Sequence, residues 1–202
     1  MKLKFSSLLL SLCSVILVTS IDADAEHLDP KPQVEKLLQA IREVPDLDKR
    51  SEAIDGAHST LDIAGLARRS LGSHWKKLDA AAQEAFTGLL LKIFAVRVYP
   101  KSAGFFKELE VLYGEEEVGD SKAVIHTSLK HKKEGRVDIA YKLRRQDDGG
   151  WKIYEVEMDE VPMGANLRSQ IRKVLKKDGY EALFKRLKEK IKEFEAEAKK
   201  SK

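Results

Sequence analysis

Three side chains in this sequence have the chemistry for acid–base catalysis: His126, Asp138 and Glu155. Each falls in a stretch with strand periodicity. A carboxylate or imidazole projecting from a sheet into an apolar pocket, its pKa tuned by burial, is the working group of an isomerase or dehydratase. The alternation argues against two of them. His126 sits beside Ile125, and Asp138 stands between Val137 and Ile139, so both fall on the face opposite the apolar one. His74 and His131 have no partner at metal-ligand spacing, and neither H-x-x-x-H nor an acidic cluster occurs. The nucleophile elbow, the phosphate-binding loop and the dinucleotide fingerprint are all absent. The sequence therefore assigns no catalytic residue, no metal and no cofactor. An isomerase or dehydratase with a cone-shaped pocket is the alternative that these three residues keep open.

The single cysteine supplies no nucleophile. Cys13 lies inside the apolar run from Phe5 to Thr19, which follows Lys2 and Lys4 and precedes the small residues Ala23-Asp24-Ala25. That order reads as a secretory signal peptide over residues 1–25, cleaved after Ala25. The run is too short for a convincing membrane span, and Leu12 before Cys13 does not fit a lipoprotein cleavage site. The mature chain, residues 26–202, then lacks cysteine and needs no disulfide. Its about 177 residues suffice for one domain with a real core, and no repeat or linker divides it. The net charge of +4 is unchanged by cleavage, since two cations and two carboxylates leave together. So mild a basic excess, without interleaved aromatics, excludes a nucleic-acid partner.

The elements that must position any site follow from periodicity. Apolar residues from Val34 to Val44 keep helical spacing, and a second helical stretch runs through Ala53 and Ile54. Asp62 caps a helix that ends near Gly72, and Asp79 caps another that runs to Tyr99 and stops at Pro100. From Lys107 the period becomes two. The segments 107–113, 122–129, 136–143 and 151–158, separated by glycine-containing turns, predict a four-stranded antiparallel meander. Asn166 caps a helix that Gly179 ends. A last helix carries Leu183, Phe184, Leu187, Ile191 and Phe194, and a short charged tail begins at about 195. The class is α+β: N-terminal helices, a curved four-stranded antiparallel sheet, and C-terminal helices that enclose an apolar pocket.

Two segments carry more apolar surface than a simple core requires. The 80–99 helix has the stripe Phe86, Leu89, Leu90, Ile93, Phe94 and Val98, widened by Leu91, Ala95 and Val96. The strand Trp151–Met158 alternates into two sets, Trp151 and Ile153 against Tyr154, Val156 and Met158. Strict alternation puts these on opposite faces, where a half-solvated sheet would be apolar on one only. One face then belongs to the core and the other to a pocket wall, for which the flexible thioethers of Met158 and Met163 are suited.

The segment Asp62…Leu71-Gly72…Trp75, with Gln83 and Phe86 beyond it, resembles the MlaC family of periplasmic phospholipid-binding proteins, also called toluene-tolerance proteins. The stretch Trp151-Lys152-Ile153-Tyr154-Glu155-Val156, then Val161 and Met163, then Asn166, Arg168 and Gln170, is similar to that family's strand, knuckle and helix pattern. The likeness spans roughly 61–187. Glu155 stands where Asp is usual, Glu160 and Pro162 replace the knuckle's Gly and Ser, Leu167 and Ile171 replace an aromatic pair, and Leu61 replaces Phe. The resemblance implies a monomeric periplasmic carrier with no cofactor, whose cargo is a phospholipid held by its acyl chains. It would pass lipid between an outer-membrane lipoprotein complex and an inner-membrane ABC transporter, maintaining outer-membrane asymmetry. The residues expected to hold the lipid are Leu90, Phe94, Val98, Tyr141, Tyr154, Val156, Met158, Val161, Met163 and Leu167. A hopanoid or other apolar lipid is an alternative cargo, and a chaperone or envelope scaffold that docks through the last helix is a further reading.

Overall fold

The computed structural model describes residues 29–107, 109–131 and 135–200; the expected signal peptide and its cleavage site lie outside them. The chain opens with α1 (Lys31–Glu43), α2 (Arg50–Thr60) and α3 (Ile63–Leu71). Asp62 caps α3, its carboxylate accepting from Gly65 N at 2.8 Å, and Gly72 ends it with φ 57°. After a tight turn over Gly72–Lys77, Asp79 caps α4 (Ala80–Ile93) by accepting from Ala82 N at 2.7 Å.

The helix does not stop at Pro100. A π-helical turn, Phe94–Val98, carries it into α5 (Tyr99–Phe106), with Tyr99 N donating to Phe94 O. Proline lacks an N–H and its ring crowds the carbonyl four residues back, so it is tolerated where a new helix begins. Across this turn Tyr99 enters the core that includes the sheet, and Phe94 and Val98 pack against it.

The sheet is antiparallel in the order β1 (Glu110–Val118), β2 (Lys122–His131), β3 (Gly135–Arg145), β4 (Trp151–Met158) and β5 (Val161–Pro162). The fifth strand corrects the expected four. It is joined to β4 by the two-residue turn Asp159–Glu160, whose φ values of 46° and 65° are those of a tight hairpin. No glycine or asparagine announces that turn. Asp138 stabilises it instead: its backbone N–H donates to Asp159 Oδ1 at 3.0 Å, and its carbonyl accepts from Asp159 N at 2.8 Å.

α6 (Met163–Lys200) follows β5 directly and is broken at Gly179, φ 83° and ψ 178°, into two arms. It begins three residues before Asn166, the residue expected to cap it. The helices pack on one face of the sheet. The other face carries paired polar side chains: His126 with Glu117 at 3.1 Å, Arg136 with Asp138 at 2.7 Å, and Lys142 with Glu157 at 2.5 Å. At one edge Leu61 bridges to Ile153 in parallel, and Asp62 N donates to Ile153 O at 2.9 Å. At the other edge β1 has, among the described residues, a strand neighbour on one side only, and its Glu110, Glu115, Glu116 and Glu117 are exposed.

Candidate functional site

The register of β4 decides which side chains face the helices. Ile153 lies opposite Leu143, yet Val156 lies opposite Tyr141: three steps on β4 against two on β3. The extra residue is a bulge. Directly paired residues share a face, so Val156 and Met158 join Trp151 and Ile153 on the inner side with Ile139, Tyr141 and Leu143. The strand is therefore apolar on one face, not two. The bulged Tyr154 instead holds its ring beside two cations, with the Arg144 guanidinium 4.8 Å and that of Arg69 5.9 Å from its centroid.

Between this inner face and the helices lies a cavity of about 470 Å³. Its floor is buried: Leu37 and Ile41 of α1, Ile63 and Leu66 of α3, Tyr99 of α5 and Ile153 of β4. Its walls are half-buried apolar groups, Leu61, Phe94, Val98, Val156, Met158 and Leu167. Its mouth is marked by the exposed lining residues Met163, Asn166 and Gln170, all on the first arm of α6. The cavity separates two packed clusters. One joins α1, α2, α5 and the sheet; the other joins α3, α4 and α6; Leu61 and Phe94 touch both.

Of the residues expected to hold a ligand, Phe94, Val98, Tyr154, Val156, Met158, Met163 and Leu167 line this cavity. Leu90, Tyr141 and Val161 do not. Leu90 is fully buried in the α3–α4–α6 cluster, Tyr141 is in the sheet-side core, and Val161 is 48 % exposed on β5. Nothing in the sequence singles out the α1 and α3 contributors, because periodicity marks an apolar face without saying whether protein or cavity lies against it.

The polar groups at the rim are internally neutralised, and in the same way twice. Asp62 caps α3 and accepts from Arg69 Nη1 at 2.8 Å. Glu155, buried, caps α6: its Oε1 accepts from Gly164 N at 2.5 Å and its Oε2 from Arg168 Nη1 at 3.1 Å. In each case a glycine leaves the space. A Cβ on Gly65 would stand 1.9 Å from the Asp62 carboxylate, and one on Gly164 would stand 2.7 Å from that of Glu155. Each carboxylate thus satisfies a helix N-terminus and an arginine. Glu155 is consumed by this structural duty.

The other two acid–base candidates lie outside the cavity. His126 and Asp138 are on the solvent face, where hydrogen bonds from Arg136 and then Ser128 hold the Asp138 carboxyl below its usual range. On the floor, burial pushes the Tyr99 hydroxyl pKa well up, keeping it neutral; its ring meets His58 at a tilt and Phe94 edge-on, at 5.3 and 5.8 Å between centroids. His58 bonds through Nε2 to Leu91 O at 3.2 Å, and burial lowers its pKa. Among the described residues no group of three or more His, Cys, Asp or Glu is placed to hold a metal, and no helix is long and apolar enough to cross a membrane.

A family model described as MlaC protein matches residues 32–189, all but the ends of the described fold. The chain belongs to the MlaC family. Among solved structures, a phospholipid-binding protein from Ralstonia solanacearum, in complex with a phospholipid, superposes with a TM-score of 0.65 at 19 % identity, over 81 % of this chain and 95 % of that one. The two share a fold. No curated protein matches this MlaC-family chain.

Proposed function

We propose that this MlaC-family chain is a periplasmic phospholipid carrier. It would take lipid from one membrane-bound complex and deliver it to another, an outer-membrane lipoprotein complex and an inner-membrane ABC transporter, and so sustain outer-membrane asymmetry. The observation that carries the reading is the apolar cavity of about 470 Å³, walled by half-buried Phe94, Val98, Val156 and Met158, whose two lining carboxylates, Asp62 and Glu155, are both held by arginines. The complex seen in the Ralstonia solanacearum protein supports it.

The energetics explain why such a cavity suffices. Two acyl chains of about fifteen methylenes each, at roughly 0.8 kcal/mol per methylene, hold on the order of 24 kcal/mol of apolar surface out of water. An apolar cavity that replaces the bilayer makes each hand-over nearly isoenergetic, and the direction comes from the partners. At ~30 Å³ for a group the size of a water molecule, the cavity has room for about one chain. A two-chain lipid uses the open side by Met163 as well.

The test pairs Val156→Glu with Leu90→Glu. A charge at Val156 faces the cavity and can hydrate there, so the variant folds but is recovered without lipid. A charge at Leu90 is buried in packed protein and unfolds the domain. Circular dichroism with a thermal melt, beside organic extraction and native mass spectrometry, reads both outcomes. Wild-type protein should carry one phospholipid per chain. A folded Val156→Glu variant that keeps its lipid, or wild-type protein that never carries lipid, overturns the reading. A small polar metabolite in the extract would point to an enzyme instead.

A further inference from the structure

The first arm of α6, from Met163 to Asp178, differs from the second arm in one respect that the cavity alone does not require. It carries Arg168, Arg172, Lys173, Lys176 and Lys177 against a single carboxylate, Asp178. Asp178 is turned toward Arg186 of the second arm at 2.9 Å, and Arg168 is held by Glu155. Arg172 donates to the Arg69 carbonyl at 2.7 Å, and Arg172, Lys173, Lys176 and Lys177 are all exposed, with no salt bridge to a carboxylate among the described residues. The second arm mixes its signs as an ordinary solvated helix does, with Lys185–Glu189 and Lys190–Glu193 pairs.

Position adds to charge. Met163, Asn166, Gln170, Lys173 and Lys177 recur at spacings of three and four and form one stripe along the arm. The stripe starts at the cavity mouth, where Met163 and Asn166 are exposed lining residues, and it ends in the lysines. At its start are two exposed apolar side chains, Met163 at 49 % and the neighbouring Val161 at 48 %. Apolar groups at an opening, continued by an unopposed row of cations, complement a surface that is negative outside and apolar beneath.

We propose that this stripe docks the cavity mouth onto anionic lipid bilayers, Val161 and Met163 entering the headgroup layer while Lys173 and Lys177 meet lipid phosphates. The inference rests on the carrier reading and gives it an entry route: seated this way, an acyl chain passes between bilayer and cavity without crossing water. An acidic protein partner would satisfy the lysines, but it gives no reason for the cations to be continuous with the opening through which apolar cargo moves.

Sedimentation of the full mature chain with vesicles tests the proposal. Vesicles of phosphatidylcholine mixed with phosphatidylglycerol should retain the protein at low salt and release it as salt rises, while phosphatidylcholine alone retains little. Each cation near such a surface contributes about fivefold to affinity, so Lys173→Gln/Lys177→Gln should lower binding on the order of twentyfold. Lys188→Gln/Lys192→Gln on the second arm should leave it unchanged. Lipid extracted from the Lys173→Gln/Lys177→Gln protein should equal wild type, since neither lysine lines the cavity. Failure of wild type to bind anionic vesicles, or equal losses from the two pairs, overturns the docking surface. Empty extracts from every protein would instead strike the carrier reading, whatever the vesicles show.

Discussion

The two carboxylate caps at the cavity rim do the same job from opposite starting points. Asp62 reaches three residues along its own chain to Gly65 N and seven to Arg69. Glu155 reaches out of a strand, across a hairpin, to Gly164 N and Arg168. The first is a local motif that any helix can carry. The second exists only once β4, β5 and α6 are assembled, so it records the tertiary fold. It is also the more deeply buried, with side-chain exposures of 7 % for Glu155 and 20 % for Arg168 against 14 % for Asp62 and 25 % for Arg69.

That difference can be broken by mutation. Glu155→Ala leaves half-buried Arg168 without its carboxylate and uncaps α6, and urea unfolding should show a loss of about 2–4 kcal/mol. Gly65→Ala and Gly164→Ala keep both charges but push a Cβ against the carboxylates. The gain in helix propensity offsets part of the clash, leaving about 1–3 kcal/mol, with Gly65→Ala the worse because its contact is the closer. Asp62→Ala, at the more open cap, should cost about 1–2 kcal/mol. If Asp62→Ala costs more than Glu155→Ala, burial does not rank the two caps.

The smallest effect is one of pH. His58 titrates lower in the folded chain because burial disfavours its cation. The unfolded chain therefore binds that proton more readily. Stability should decline as pH falls below about 6.5 and level off beneath the folded-state value. A chemical-denaturation series across that window, with His58→Gln as the comparison, checks it; a pH-independent midpoint would contradict the assignment.

The same contrast explains what the sequence discloses. The Asp62 and Asp79 caps, the Gly72 and Gly179 breaks, and the alternation of β3 are local patterns, and each appears where periodicity places it. The outward positions of His126 and Asp138 follow from that alternation too. What stays hidden needs a partner distant in sequence. The bulge at Tyr154 is visible only against β3, and without it β4 reads as a strand apolar on both faces. The Asp159–Glu160 turn depends on Asp138, and the start of α6 at Met163 depends on Glu155. For the cavity the limit is different. Phe94, Val98, Val156 and Met158 were legible as apolar surface beyond the needs of a core. Leu90 was equally apolar, and only its packing against α3 and α6 separates it from the wall.

The free margin of the sheet has a consequence for how the molecule behaves in a crowd. At the β4 side the backbone is occupied by Leu61–Asp62 and β5, whereas β1 has no second strand beside it among the described residues. Edge-to-edge addition of one copy to another would begin there. What opposes it is a set of exposed carboxylates, Glu110, Glu115, Glu116 and Glu117, of which Glu116 is held by Lys31 at 2.9 Å and Glu117 by His126 at 3.1 Å, and which each incoming copy would have to bring alongside its own. The barrier to polymerisation is thus in large part ionic. A basic polymer laid along β1 would cancel those charges and remove what keeps one copy's margin from adding to another's.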